Sequence, residues 1–471
     1  MLYNSFTSLQ EAIKTGQTTC ENQVDLYLKN IEDKSDLNAF VEVYSEEAKE
    51  MAKAIDAKIK DGNAGRLAGM VVGVKDNICY AGHKVTASSK ILEGFESLYS
   101  ATAVQRLIDE DAIIIGRLSC DEFAMGSSNE KSVYGSVKNP HDTSRVPGGS
   151  SGASAVAVAA NLCMTSLGSD TGGSIRQPAS FCGVVGYKPT YSRISRHGLL
   201  AYGSSFDQIG PFTHTVDDAA LMTEVMAGKD EFDATSSSKE VEDYSDLSSE
   251  GLMRIAYIKE TVESDALSAE IKATFNAKLD ALRAEGHTVE AVDFPLLDAL
   301  VPAYYVLTTA EASSNLSRYD GVHYGYRSPN ATDLESTYKL SRTEGFGEEV
   351  KRRIMLGTFV LSAGYYDAYY GKAMKVRRLI QERTNDILSN YDFILTPTTP
   401  DVAFKFGANN DDPTKMYLED IFTVQANLAG VPAISVPLSK NSEGLPFAMQ
   451  LMGRSFEERD LMAFSKQLME G

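Results

Sequence analysis

Apolar positions along the chain fall into short buried-looking runs separated by longer stretches with an apolar face. From about Ser45, the residues Ala48, Met51, Ala52, Ile55 and Ile59 line one side of a helix that stops at Gly62. Ahead of it, Ser8-Leu9-Gln10-Glu11 and Thr18-Thr19-Cys20-Glu21 each fit the capping box, in which side chains at both ends satisfy free N–H groups, and predict two early helices. Gly69 to Lys75 predicts a buried strand, Val104, Leu107 and Ile108 a helix face, and Ala112 to Ile115 a short strand ended by Gly116. Ala153 to Leu167 is the longest apolar run; rich in small residues and broken by Asn161, it predicts a core helix and strand rather than a membrane span. Strands at Val184 to Lys188, Arg254 to Ile258 and His287 to Val292 alternate with helices at Val216 to Met226 and Ala269 to Arg283. The tail adds strands at Phe393 to Leu395, Ala433 to Val436 and Ala448 to Leu451, and a helix from about Phe456. This rhythm predicts an α/β fold, a mixed β-sheet core covered by helices.

Glu231 to Gly251 interrupts the rhythm with a polar, acidic, serine-rich stretch that reads as a linker or surface excursion. Because strands and helices resume beyond it, we expect one large domain over 1–471: N-terminal helices in 1–62, a core in 63–230, the excursion at 231–251, and a second half in 252–471. The formal net charge of −20 repels polyanions, so a direct grip on nucleic acid is not expected from this chain alone. The five cysteines are scattered, without a C-x-x-C pair or zinc spacing, and the first residues lack a secretory pattern. Together these point to a reducing, cytoplasmic setting and no metal.

Candidate chemistry concentrates between Gly148 and Ser174, in two clusters of glycine beside serine. Neither has the lysine that closes a P-loop. Gly148-Gly149-Ser150-Ser151-Gly152 matches the G-x-S-x-G elbow with Ser150 as nucleophile, but the polar Asn139 to Pro147 stretch before it is a loop, not the required strand. The second cluster has better context: Met164 to Leu167 as a strand, a turn over Gly168 to Gly173, and a helix opening near Ser174. Ser174 would then sit among the amides of Thr171, Gly172, Gly173 and its own, the donors that a tetrahedral oxyanion needs. None of the six histidines stands in a motif that marks a base. Lys75, at the end of the Val71 to Lys75 run, can serve if burial keeps it neutral.

Taken together, GVKDN at Gly73 to Asn77, GGSSGAS at Gly148 to Ser154 and GSDTGGSIRQPASFCG at Gly168 to Gly183 resemble the amidase signature family. The resemblance implies Lys75 as base, Ser150 as bridging serine beside a cis peptide, Ser174 as acylated nucleophile, and an oxyanion hole from Thr171, Gly172, Gly173 and Ser174. Ala153 departs from the glycine of many members and leaves these positions intact. Glu311 to Gly325 and Ser341 to Tyr370 resemble, within that family, the A subunits of glutamine-dependent aspartyl/glutamyl-tRNA amidotransferases. That likeness implies glutamine as substrate, held by Arg353 and Asp420 with Tyr304 as aromatic neighbour. It also implies B and C partner subunits, with ATP, Mg and tRNA engaged by the partner. Arg353 equally fits an i,i+4 pair with Glu349 on a helix. Two other classes remain distinct on paper: a free-standing amidase for aryl or alkyl amides, and a Ser-His-Asp hydrolase with Ser150 in an elbow.

Overall fold

The computed structural model describes residues 1–249, 251–408 and 413–470. Residue 250 of the predicted excursion, and 409–412 and 471 of the second half, lie outside them. Among the described residues, the strands are β1 (Phe40–Val43), β2 (Val71–Lys75), β3 (Ile113–Leu118), β4 (Thr165–Asp170), β5 (Val185–Lys188), β6 (Gln208–Thr213), β7 (Arg254–Ile258), β8 (Thr288–Val292), β9 (Phe393–Pro397), β10 (Ala433–Lys440) and β11 (Pro446–Met452). They form one sheet in the order β1-β3-β2-β4-β6-β5-β10-β11-β9-β7-β8. Two parallel groups, β3-β2-β4 and β9-β7-β8, flank an antiparallel centre. The mixed α/β architecture expected from the alternation of elements is therefore present, as a single continuous sheet. No helix among the described residues is long and apolar enough to cross a membrane.

Several boundaries differ from expectation. The first helix, Phe6–Lys14, is capped by Ser5 rather than Ser8, and the second, Cys20–Asp33, by Thr19 rather than Thr18. In both cases a neighbouring hydroxyl reaches the free amide three residues on, and no capping-box glutamate closes the pair. The helix at Ser45–Asp61 ends as expected, with Gly62 in the left-handed region at φ 72°.

Gly116 does not end its strand but lies inside β3, opposite Val43 of β1. A Cβ at Gly116 would sit 2.5 Å from the Glu42 carbonyl oxygen and under 3 Å from the Phe40 ring, so glycine is what lets β1 close the edge. Likewise Gly168, Ser169 and Asp170 belong to β4, paired with Gly210, Ile209 and Gln208 of β6, rather than to a turn. The acidic excursion runs over the surface but is pinned by apolar contacts. Tyr244 and Leu247 are buried in a cluster with Val216, Ala219 and Phe464, a packing that local composition does not reveal.

Substituting Gly116→Ala should force β1 and β3 apart and cost about 1–3 kcal/mol. Urea unfolding measures it; an unchanged midpoint would mean that the β1 edge contributes nothing to stability.

Candidate active site

β2 and β4 are parallel neighbours, with Val72 opposite Thr165 and Val74 opposite Leu167. Their carboxyl ends emerge on one edge of the sheet, the side on which α/β sheets present ligand sites. β2 delivers Lys75 there, fully buried, and β4 delivers Ser169 and Asp170. Against this edge packs the helix Gly152–Ala159, apolar but for Ser154 and buried from Gly152 to Val158. Its amino end places Ser150 and Ser151 beside the lysine, after a cis peptide between Gly149 and Ser150.

Lys75 Nζ lies 2.8 Å from Ser150 Oγ and 2.9 Å from both Ser151 Oγ and Ser169 Oγ. The Ser151 hydroxyl donates to the Ser169 carbonyl at 3.1 Å, so towards Lys75 it acts as acceptor. Ser169 Oγ already accepts from Asn77 Nδ2 at 2.9 Å and takes a second hydrogen from Lys75. A neutral lysine thus spends both of its hydrogens on Ser151 and Ser169 and points its lone pair at the Ser150 hydroxyl. Burial drives its pKa down to about 8 against the opposing pull of nearby acids, so this neutral form is accessible near physiological pH. The arrangement can accept a proton from Ser150.

Ser174 follows β4 through the turn Thr171-Gly172-Gly173, and its carbonyl accepts from the Ser151 amide at 3.2 Å, which docks it beside the serine pair. It is 9% exposed, whereas Lys75, Ser150 and Ser151 are at 0%. The turn is clamped from below by Asp170, whose carboxylate accepts from the Gly173 amide at 2.9 Å and the Ile175 amide at 3.2 Å. Arg176 forks onto the same carboxylate through Nε (3.1 Å) and Nη2 (3.0 Å), with both side chains at 0% exposure. Burial alone would raise the Asp170 pKa; the arginine and Asn427 reverse this and hold it at about 2.

The Gly173 amide is therefore spoken for, which corrects the expectation that it joins the oxyanion donors. The amides of Thr171, Gly172 and Ser174 have no backbone acceptor among the described residues. Gly172 has no room for a side chain: a Cβ would meet Tyr304 Cζ at 2.4 Å.

Tyr304 and Tyr305 lie on the helix Leu297–Asn315, which packs against the helix Glu348–Val360 carrying Arg353. Arg353 is buried; Nε donates to Glu349 at 2.8 Å and Nη1 to Tyr202 Oη at 2.9 Å, while Nη2 has no partner among the described residues. Its guanidinium lies over the rings of Tyr202, Tyr305 and Tyr417 at 5.2–5.6 Å. Asp420 accepts from Tyr305 Oη at 2.9 Å and from Ser127 Oγ at 3.1 Å. Burial pushes its pKa up to about 7 despite these donors. One tyrosine thus lies under the guanidinium and holds the carboxylate, leaving an unspent cationic nitrogen and an anion in one aromatic pocket.

The family model described as Amidase matches residues 22–462. The chain belongs to the amidase family. This amidase is 51% identical over 470 residues to the A subunit of glutamyl-tRNA(Gln) amidotransferase from Chlorobium phaeobacteroides, covering 99% of this chain and 98% of that one. The same-named protein of Chlorobium chlorochromatii is 52% identical over 475 residues, with 99% of each covered. Among solved structures, the A subunit of glutamyl-tRNA(Gln) amidotransferase from Thermotoga maritima superposes with a TM-score of 0.78 at 43% identity, over 94% of this chain and 90% of that one. Peptide amidase of Stenotrophomonas maltophilia superposes with 0.81 at 28% identity, over 98% and 95%. The backbone is thus common to amidases of different names, and identity separates them.

The structure sets Lys75 against Ser150 at the end of β2, places Ser174 at the turn after β4, and puts Arg353 and Asp420 on either side of Tyr305. The sequence reading does not single out Ser127, Tyr202, Tyr305 and Tyr417, which orient the second pair. A tyrosine beside a tyrosine carries no signal of which one faces the pocket; only the helix phase decides that Tyr305, not Tyr304, reaches Asp420. The expected i,i+4 contact between Glu349 and Arg353 is also made, and it coexists with the open Nη2.

Replacing Arg176 with Met should leave Asp170 buried without its cation and cost about 3–5 kcal/mol. Thermal and urea unfolding check this; a loss below about 1 kcal/mol would mean that the backbone amides alone carry the carboxylate.

Proposed function

We propose that this amidase is the glutaminase component, the A subunit, of a tRNA-dependent amidotransferase. The observation that carries the reading is the half-identity, over the full length, to proteins named as the A subunit of glutamyl-tRNA(Gln) amidotransferase. The Arg353–Asp420 pocket supports it chemically. A glutamine α-carboxylate can take the free Nη2 of Arg353 and its α-ammonium the Asp420 carboxylate, which leaves the side-chain amide directed at Ser174.

In this reading Lys75 takes the proton of Ser150 as Ser150 takes that of Ser174, and Ser174 Oγ attacks the amide carbon. The resulting oxyanion is met by the amides of Thr171, Gly172 and Ser174, while Gly173 shapes the turn. Return of the proton from Lys75 through Ser150 to the leaving nitrogen releases ammonia and an acyl-Ser174. Water, deprotonated along the same path, then frees glutamate. Ammonia passes to a B subunit, with a small C subunit completing a heterotrimer in the cytoplasm, and Glu-tRNA(Gln) or Asp-tRNA(Asn) is amidated there. ATP, Mg and tRNA are assigned to that partner. Among the described residues no group of three or more His, Cys, Asp and Glu side chains is placed to hold a metal ion.

The test is ammonia release from glutamine by the purified chain, alone and with its B and C partners. Ser174→Ala should abolish release. Arg353→Ala should lower kcat/KM for glutamine by about 10–100-fold, the worth of one or two hydrogen bonds to a charged group, and spare simple amides. Release from simple amides but never from glutamine would replace this reading with a free-standing amidase.

The pH profile follows from two groups with the same sign. Lys75 acts when neutral, above about 8, and Asp420 binds an ammonium when ionised, above about 7. The kcat/KM for glutamine should therefore fall on acidification through this range, and Asp420→Asn should raise KM while leaving the limb near 8. A profile flat across this range would remove Lys75 as the base.

A further inference from the structure

Asp207 stands at the start of β6, next to the Gln208 that pairs with Asp170, and is only 3% exposed. Its carboxylate is held by neutral donors and is in ion-pair contact with no cation among the described residues. Oδ1 accepts from Thr171 Oγ1 at 2.7 Å and from the Gly203 amide at 3.2 Å; Oδ2 accepts from the Tyr202 amide at 2.9 Å. Burial raises its pKa to about 6, so keeping the charge there carries an energetic penalty. An asparagine in its place would turn an amide donor towards one of these three donors, so the position calls for a carboxylate.

The two sides of that carboxylate belong to different parts of the site. Thr171 begins the turn whose amides face the reacting carbonyl. Tyr202 receives Arg353 Nη1 on its hydroxyl at 2.9 Å, lies under the guanidinium, and donates its own hydrogen to Thr308 at 2.9 Å. Gly203, between them, packs without a side chain against the methyl groups of Thr171 and Thr308. Arg353, Tyr202, Asp207 and Thr171 thus form an unbroken chain of contacts, and Asp207 is the link between Tyr202 and Thr171.

We propose that Asp207 is a positioning residue that ties the Arg353 side of the pocket to the Thr171–Ser174 turn, so that a substrate carboxylate held at one end steadies the oxyanion donors at the other. The inference rests on the glutamine reading above. It makes the selectivity for an amino-acid amide a matter of rate as well as of affinity. The Tyr202 hydroxyl touches only Arg353 and Thr308, and its effect on turnover travels through the tyrosine's own backbone amide to Asp207.

A mutant cycle in the complex with its partner subunits tests this. Thr171→Val removes the hydroxyl that Asp207 holds, and Tyr202→Phe the one that Arg353 holds. Each should lower kcat/KM for glutamine by about 10-fold, and Tyr202→Phe should lower kcat as well as raise KM. The double variant should lose at least about 3-fold less than the product of the singles. In an Asp207→Asn background the two changes should become independent.

Independent effects in the native background, a Tyr202→Phe effect confined to KM, or coupling that survives Asp207→Asn would each overturn the proposal. A local structural role predicts lower thermal stability of Asp207→Asn with the native coupling intact. If Asp207→Asn does not fold, the two hydroxyl deletions alone decide between coupling and independence. Should the unaltered complex release no ammonia from glutamine, the functional reading falls on its own. The link through Asp207 is then read from urea unfolding, where the costs of Thr171→Val and Tyr202→Phe should be non-additive in the native background and additive with Asp207→Asn; additivity in the native background overturns it.

Discussion

The buried ion pair between Asp170 and Arg176 is the constraint on which the site depends. Two charges removed from water are tolerable only if every donor and acceptor finds a partner, and here they do. The carboxylate gathers two turn amides, the guanidinium and Asn427, while Arg176 also reaches the Thr423 carbonyl at 2.8 Å and Gln450. Because Thr423 Oγ1 donates to the Gly172 carbonyl at 2.6 Å, the segment that carries Asp420 is latched onto the same turn that carries Ser174. One electrostatic requirement thereby fixes a backbone conformation in β4 and the docking of a segment some 250 residues further along the chain.

A second brace runs through the loop after β3. Asp121 collects the amides of Ser128, Asn129 and Lys131; Asn129 accepts from the Ala153 amide at the start of the buried helix; and Ser127 holds Asp420. Glu122 next door accepts from the Gly347 amide, at the head of the helix that carries Arg353. Adjacent acids of one loop thus face different ways, one onto the loop amides that lead to the buried helix and one onto the head of the helix that carries Arg353. Buried polar networks of this kind specify a geometry more than they add stability, because each member is costly when unpaired.

Local pattern made part of this legible. Apolar runs located most of the core strands and brought Lys75 to a strand end, the glycine cluster after Met164 to Leu167 singled out Ser174, and only the resemblance to the amidase signature family joined these two with Ser150. What stayed hidden depends on contacts distant in sequence. β1 is half-buried along its length and β6 is interrupted by Gly210 and Pro211, so neither shows a strand periodicity. The extent of β4 through Gly168 to Asp170 is imposed by pairing with β6, and the loss of the Gly173 amide by a carboxylate three residues away. Asp207, isolated in a loop of small and aromatic residues, has no motif around it; its importance appears only once Thr171 and Tyr202 are seen on either side.

The difference in exposure between Ser174 and the groups behind it has a bearing on the order of events. Lys75, Ser150 and Ser151 are sealed at 0% and backed by a helix without a polar side chain beyond Ser154, so solvent has no rear approach. In the glutaminase reading proposed above, the hydrolytic water therefore reaches the acyl group from the Ser174 side rather than past Lys75. On that reading the base stays dry through both halves of the cycle, and only the Ser174 side meets solvent.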